Sequence, residues 1–399
     1  MLTGEEIIYI ANDWAKENKT SAHQIAEVLS VNNRVLYVEA AGMRKPRASR
    51  RDFRKIVSKL RKLGARPVKL RDNLYLYSPF VLPFHRYKIV RAVNRILMSA
   101  MLTRASRGLG FENPLIWIFM PHYAGVLSKI RNKGIIYYCV DEYSSQPKVD
   151  AQMISLMEKE ILQRADVVFV VSQELLEAKR RFNPNTYLSR HGVDVELFRT
   201  AMDDGTSVPE DISDIPRPIA GFFGLLEEWT DLELIDHLAR TLPHVSFVFI
   251  GRVAVDVNGL TMHKNVHFLG QRSYETLPNY LKAFDVCLLV YKMGEFAKHA
   301  NPKKLREYLA GGKPVVSVRL REVEELADVV YIADSYQEFA NLIQRALDED
   351  CEDRRHTRLS AVASLSWPAR VDRLSDVIVE RIPATGSPRV HTHLEAGHP

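Results

Sequence analysis

Lys303, Lys304 and Glu307 lie close together in the stretch Asn301-Pro302-Lys303-Lys304-Leu305-Arg306-Glu307-Tyr308-Leu309-Ala310-Gly311-Gly312-Lys313-Pro314-Val315-Val316-Ser317. Two cations followed by a carboxylate at this spacing suit a nucleotide diphosphate. The ammonium groups meet phosphate, and the carboxylate accepts hydrogen bonds from ribose hydroxyls. The residue types around them predict loop, helix, stop and strand. Asn301 is a capping type, and Pro302 suits a first helical position. Leu305, Tyr308 and Leu309 make a short apolar stripe at helical spacing. Gly311-Gly312 can supply the left-handed residue that stops a helix, and Pro314 to Val318 reads as a buried parallel strand. A helix start offers free N–H groups and a positive dipole end, which favour phosphate. Lysines in a first turn oppose that dipole, so two of them there point to an anionic ligand. An ordinary surface helix with a Lys–Glu pair has the same spacing, and spacing alone does not separate the two readings.

The elements that must position such a site alternate along the whole chain. Glu6 to Ala11 and Val35 to Glu39 read as strands flanking a helix that Thr20 or Ser21 caps, a β-α-β unit. Ligands bind at the strand C-terminal ends of such sheets, so Asp13, Ser21 and His23 are candidates there, with Trp14 a packing residue. Leu115 to Met120 is a strand running into Pro121-His122, and Ile135 to Val140 one running into Asp141-Glu142. Helices are expected over Tyr87 to Leu102, Met153 to Arg164 and Leu175 to Arg181, with a strand from Asp166 to Ser172. Thr200 to Pro218 has a flexible connector's composition. Beyond it come strands at Pro218 to Phe223, Val245 to Ile250, Val266 to Leu269, Val286 to Val290 and Val329 to Ile332, with helices between them. Short strands separated by helices of this length indicate doubly wound parallel sheets. The expected division is 1–200, linker 201–217, second domain 218–363, crossover helix 364–382 and disordered tail 383–399.

The Asn301 to Ser317 stretch resembles the donor-binding helix of GT-B-type glycosyltransferases, the large retaining family numbered 4 (group 1). Glu307 matches the second Glu of that family's Glu-x7-Glu pattern, and the first falls on His299. The first Glu contacts the donor sugar in the family, so His299 is a departure at that position. The Asn-Pro-x-Lys-Leu version resembles a subgroup of bacterial cell-surface polysaccharide transferases. The Tyr187 to Asp194 stretch resembles the Pro-Asn-Gly-Val-Asp segment closing the family's first domain, with His191 in the Asn position. The resemblance implies two facing Rossmann-like domains with the active cleft between them. It also implies transfer of a sugar from a nucleotide-sugar to an acceptor hydroxyl, with retention, no bound metal and no other cofactor. Asp141 and His122 are then the candidates near the reacting carbon. The loop after Gly224 lacks the family's Arg and Lys for the diphosphate, so Arg252, Lys303 and Lys304 are the available cations. The base falls near Gln271, Arg272 and Ser273.

Composition bounds the partners. The apolar fraction is 46% and the charged fraction 26%, ordinary for a globular protein. No apolar run is long enough for a spanning helix, and the acidic start is no signal peptide. Cys139, Cys287 and Cys351 have no ligand spacing, and the first two read as buried free thiols. A reducing cytoplasm is the simplest compartment. From Met43 to Lys133 there are 22 Lys and Arg against three acidic residues, about +19, which leaves about −13 elsewhere. That asymmetry points to an anionic partner, an anionic membrane leaflet or a lipid-linked or saccharide acceptor. No nucleic-acid module is present, so nucleic acid is not expected. A same-fold nucleotide-sugar 2-epimerase and a non-enzymatic membrane or polyanion binder are the other readings. A dehydrogenase lacks its Gly-x-Gly-x-x-Gly after the first strand.

Overall fold

Buried apolar runs, bounded by turn residues, become most strands of one largely parallel and one all-parallel sheet in the computed structural model. It describes residues 1–14, 19–40, 66–80, 88–145 and 149–383. The basic segment expected from Arg44 to Lys62 lies outside the described residues, as do Phe84 and the tail from 384 on. The chain divides into two units. One holds residues 1–189 and the chain from Val371 onward, the other Arg190–Arg370.

The first unit is built on an eight-stranded sheet. Its strands are β1 (Glu6–Ala11), β2 (Arg34–Glu39), β3 (Val68–Arg71), β4 (Leu74–Tyr77), β5 (Leu115–Ile118), β6 (Gly134–Cys139), β7 (Val167–Val170) and β8 (Thr186–Leu188). They lie in the order β3-β4-β2-β1-β5-β6-β7-β8, and only the β3–β4 pair is antiparallel. β5 and β6 are buried along their whole lengths, as parallel strands covered on both faces must be. The β3–β4 hairpin was not expected from the sequence. Val68–Arg71 is exposed throughout, so its charged residues give no core pattern, and the turn rests on Asn73 with φ of 61°. Helix Lys88–Gly108 runs six residues beyond its expected end at Leu102.

The second unit has a six-stranded, all-parallel sheet in the order β11-β10-β9-β12-β13-β14. These strands are β9 (Ile219–Phe223), β10 (Ser246–Ile250), β11 (Val266–Gly270), β12 (Val286–Leu289), β13 (Val315–Val318) and β14 (Tyr331–Ala333). Helix Leu232–Thr241 is capped by Asp231 and helix Tyr336–Asp348 by Ser335. The segment expected as a flexible linker, 201–217, packs onto this unit instead. Ala201 and Ile212 are buried, and Asp211 accepts from Tyr280 and pairs with Arg272. Buried apolar side chains anchor it where composition alone suggests a free connector. Helix Glu352–Val362 was also unforeseen, and its buried Arg358 donates to the carbonyl of Gly312 at 2.9 Å. The last helix, Trp367–Arg381, starts in the second unit and continues in the first.

Candidate active site

The second unit's site forms where β9, β10 and β12 end. These strands are adjacent and parallel, so Gly224 and Gly251 leave the sheet at one edge. Gly224 donates its N–H to the Ile250 carbonyl at 2.8 Å. Both glycines have positive φ, 138° and 144°. A Cβ on Gly251 would lie 1.9 Å from the Gly224 oxygen, and one on Gly224 would lie 2.7 Å from Nζ of Lys304. The backbone there is bare so that the amine of Lys304 can rest against it.

Helix Lys303–Ala310 supplies that amine. Phe223 donates its N–H to the Tyr308 hydroxyl at 3.0 Å, which locks the helix onto β9. The helix start carries no side-chain cap. Asn301 does not cap it, contrary to expectation, and Pro302 occupies the cap position. The Asn301 side chain turns inward, accepting from Arg306 at 2.7 Å and donating to Glu322 at 3.2 Å. Gly312 takes the expected left-handed conformation, φ 73°.

Nζ of Lys304 stands 3.9 Å from the centre of the Phe222 ring and 5.7 Å from that of Tyr291. Burial brings its pKa down to about 7, against the opposing pull of Glu307. Among the described residues no hydrogen bond or ion pair holds this ammonium. Glu307 is 2% exposed, and its Oε1 accepts from the Tyr274 hydroxyl and from Nζ of Lys303, both at 2.9 Å. Lys303 also lies over the Tyr274 ring at 4.4 Å. The carboxylate is thus held by Lys303 and Tyr274, and Lys304 faces Gly224.

The remaining candidates of this unit are placed as follows. Arg252 follows Gly251 and is exposed. Arg272 donates from Nε to Tyr280 at 2.6 Å and pairs with Asp211. His299 ends the short helix Glu295–His299, and its buried Nδ1 has no hydrogen-bond partner among the described residues. Phe222, Tyr274 and Tyr291 were not singled out in the sequence. Aromatic residues in strands and helix starts carry no signal of a distant partner.

In the first unit β1, β5 and β6 are neighbours, so Asp13, His122 and Asp141 leave one sheet edge. Burial, with Glu142 adjacent, pushes the Asp141 carboxyl up to about 7. His122 is the second residue of the 3-10 segment Pro121–Lys129, its ring 4.5 Å from that of Tyr123. His23 is 2% exposed and is engaged at both nitrogens, Nδ1 accepting from the Thr20 N–H at 3.0 Å and Nε2 meeting the Asp13 carbonyl at 3.2 Å. It stacks on Tyr37 and takes the capping role at its helix start, beside buried Ser21. Glu39, unmarked in the sequence, accepts from the Trp14 N–H at 3.0 Å and from Ser78. Burial pushes its carboxyl up, and Asp13 adds to this.

Among the described residues no set of three His, Cys, Asp or Glu gathers for a metal. No described helix is long and apolar enough to cross a membrane.

Residues 217–349 match the family of group 1 glycosyl transferases. Over 352 residues the chain is 24% identical to TuaH of Bacillus subtilis, named as a teichuronic acid biosynthesis glycosyltransferase, covering 82% of this chain and 84% of that protein. The fold is similar to sucrose-phosphate synthase from Thermosynechococcus elongatus, with a TM-score of 0.67 and 18% identity, covering 94% of this chain and 98% of the other. It is also similar to Anabaena HepE solved with UDP and glucose, at 0.66 and 17%, covering 94% and 100%. The architecture is GT-B, and the chain is a glycosyltransferase whose residues 217–349 resemble the group 1 family.

Proposed function

We propose that this glycosyltransferase moves a sugar from a nucleoside diphosphate sugar to an acceptor hydroxyl, with retention and without a metal ion. The carrying observation is Lys304, an ammonium against Gly224 with no hydrogen bond or ion pair among the described residues. A partly buried cation is costly unless an anion joins it. In the reaction the bond from the sugar's anomeric carbon to the diphosphate breaks, and negative charge develops on the departing oxygen. Lys304 and the uncapped helix start meet that charge, which lowers the barrier most where charge develops. Glu307, braced by Tyr274 and Lys303, receives the ribose hydroxyls. Arg252, exposed after Gly251, adds charge at the same edge.

In the first unit Asp141 or His122 orients the acceptor or steadies the sugar's developing positive charge. The Asp141 carboxyl, pushed up to about 7, can hold a proton near neutrality. The acceptor we favour is a lipid-linked or polysaccharide one, after the relative named for teichuronic acid biosynthesis. An anionic membrane surface is the partner we assign to helix Lys88–Gly108. Ile89, Val93 and Ile96 are exposed along it, in a segment rich in Lys and Arg.

UDP is the nucleotide to test first, since HepE was solved with it. Calorimetric titration of wild type and Glu307→Ala is expected to show binding that the substitution weakens by about 1.5–3 kcal/mol, on the order of ten- to a hundredfold. No binding of UDP, GDP, ADP or dTDP at millimolar concentration would remove the donor role of this helix.

A further inference from the structure

The loop that follows Gly224 is fastened to the loop that follows β12. Thr230 and Tyr291 form an isolated antiparallel bridge. Asp231 donates its N–H to the Val290 carbonyl at 3.0 Å, and Lys292 donates its N–H to the Trp229 carbonyl at 2.8 Å. Asp231 also caps helix Leu232–Thr241 and accepts from the Tyr336 hydroxyl, and the Thr230 hydroxyl accepts from the Glu227 N–H at 3.2 Å. Bridge and cap account for Thr230 and Asp231 but not for the side chain of Trp229. Its ring stacks on Phe296 from the other loop, with centres 4.5 Å apart and planes inclined by 16°. Both rings pack against the unit's core on one side and stay partly exposed on the other. The hydrogen bonds already join the loops, and an aromatic pair left partly in water gives up some of the burial that favours it.

The pair lies to one side of Lys304. Tyr291, in the bridge next to Trp229, has its ring centre 5.7 Å from Nζ of Lys304. To the other side Tyr274, which follows β11, holds Glu307. The strand order β11-β10-β9-β12 therefore lays a nucleoside diphosphate sugar along the sheet edge. Its ribose falls toward β11 and Glu307, its diphosphate at Gly224 and Lys304, and its sugar at the loop after β12.

We propose that Trp229 and Phe296 form the platform on which the transferred sugar rests, with the C–H face of its pyranose ring against the stacked pair. The proposal rests on the donor reading of helix Lys303–Ala310. Aromatic walls with a few placed polar groups are the usual division of a small-molecule site. The rings take the C–H face, and the hydroxyls at the sugar's rim need polar partners. His299, one turn after Phe296 in helix Glu295–His299, offers one, since its buried Nδ1 has no hydrogen-bond partner among the described residues. Trp229 and Phe296 act here as specificity residues and lie outside the set that holds UDP.

Calorimetry on the full chain compares UDP with UDP-glucose, UDP-galactose and UDP-N-acetylglucosamine. The quantity read is the affinity of the best-bound sugar nucleotide relative to that of UDP. Trp229→Leu is expected to lower this ratio about tenfold while UDP alone binds within about twofold of wild type. Trp229→Phe keeps a ring and is expected to bring the ratio back to within about threefold of wild type. Phe296→Leu tests the same platform from the other loop if Trp229→Leu does not fold. A ratio unchanged in the Leu variants, or UDP affinity falling in step with that of the sugar nucleotide, overturns the platform while leaving the donor helix standing. Failure of UDP itself to bind the wild type is a different result, and it removes the UDP-donor reading together with this one.

Discussion

Lys304 shows how the environment of a single residue points to the charge of its partner. A lysine in an unfolded chain titrates near about 10.4, and in this fold Lys304 titrates near 7. Between those values the unfolded chain holds a proton that the fold does not, so this group's contribution to stability rises with pH across that window. Below about pH 7 the fold bears the cost of the charged amine. A diphosphate reverses the balance by supplying the opposite charge. UDP binding at pH 8 is therefore expected to take up a proton, and UDP affinity to weaken as pH rises above 7. Titration in buffers of different ionisation enthalpy measures the uptake. Lys304→Met is expected to lose UDP affinity by about ten- to a hundredfold with thermal stability kept. Binding without proton uptake would place the phosphates away from this amine.

At the scale of elements, the edge of the second sheet depends on two glycines that no other residue can replace without movement. A Cβ at 251 would overlap the Gly224 carbonyl, and φ there is 144°. Gly251→Ala is expected to cost about 1–3 kcal/mol from backbone strain alone. Gly259→Ala has nothing within 4 Å of the added carbon and makes the control. Urea unfolding compares the two, and equal midpoints would mean that the strand ends have room to shift. Helix Lys303–Ala310 is readable in advance because its apolar stripe and its Gly-Gly stop are local. Its cap was misread because Asn301 finds Arg306 and Glu322, the latter 21 residues on, and a side chain with buried partners does not turn back to a helix start.

For the whole molecule, the first unit's interior holds a charged group that the apolar pattern does not announce. Lys179 is 5% exposed and donates to Glu142 and Glu158, each at 2.7 Å. The Tyr137 hydroxyl also donates to Glu158 at 2.8 Å. Burial raises the Glu142 carboxyl, but Lys179 outweighs it and holds the group below its ordinary range. Lys179→Met leaves two carboxylates without their cation and is expected to cost about 3–5 kcal/mol. Thermal unfolding measures it, and a loss under 1 kcal/mol would show water reaching the pair. The alternation of strands and helices, the parallel pairing of all strands but β3 and the helix from Lys303 were determined by the sequence itself. Periodicity and turn chemistry act over a few neighbouring residues, and each strand's run of apolar side chains declares its burial. Only the tertiary structure decided that Glu307 is braced by Tyr274, 33 residues earlier. It also decided that 201–217 packs on the second unit and that the Asn301 side chain lies between Arg306 and Glu322. Those partners come from segments far apart in the chain, and their charges acquire a cost only once folding has taken water away from them.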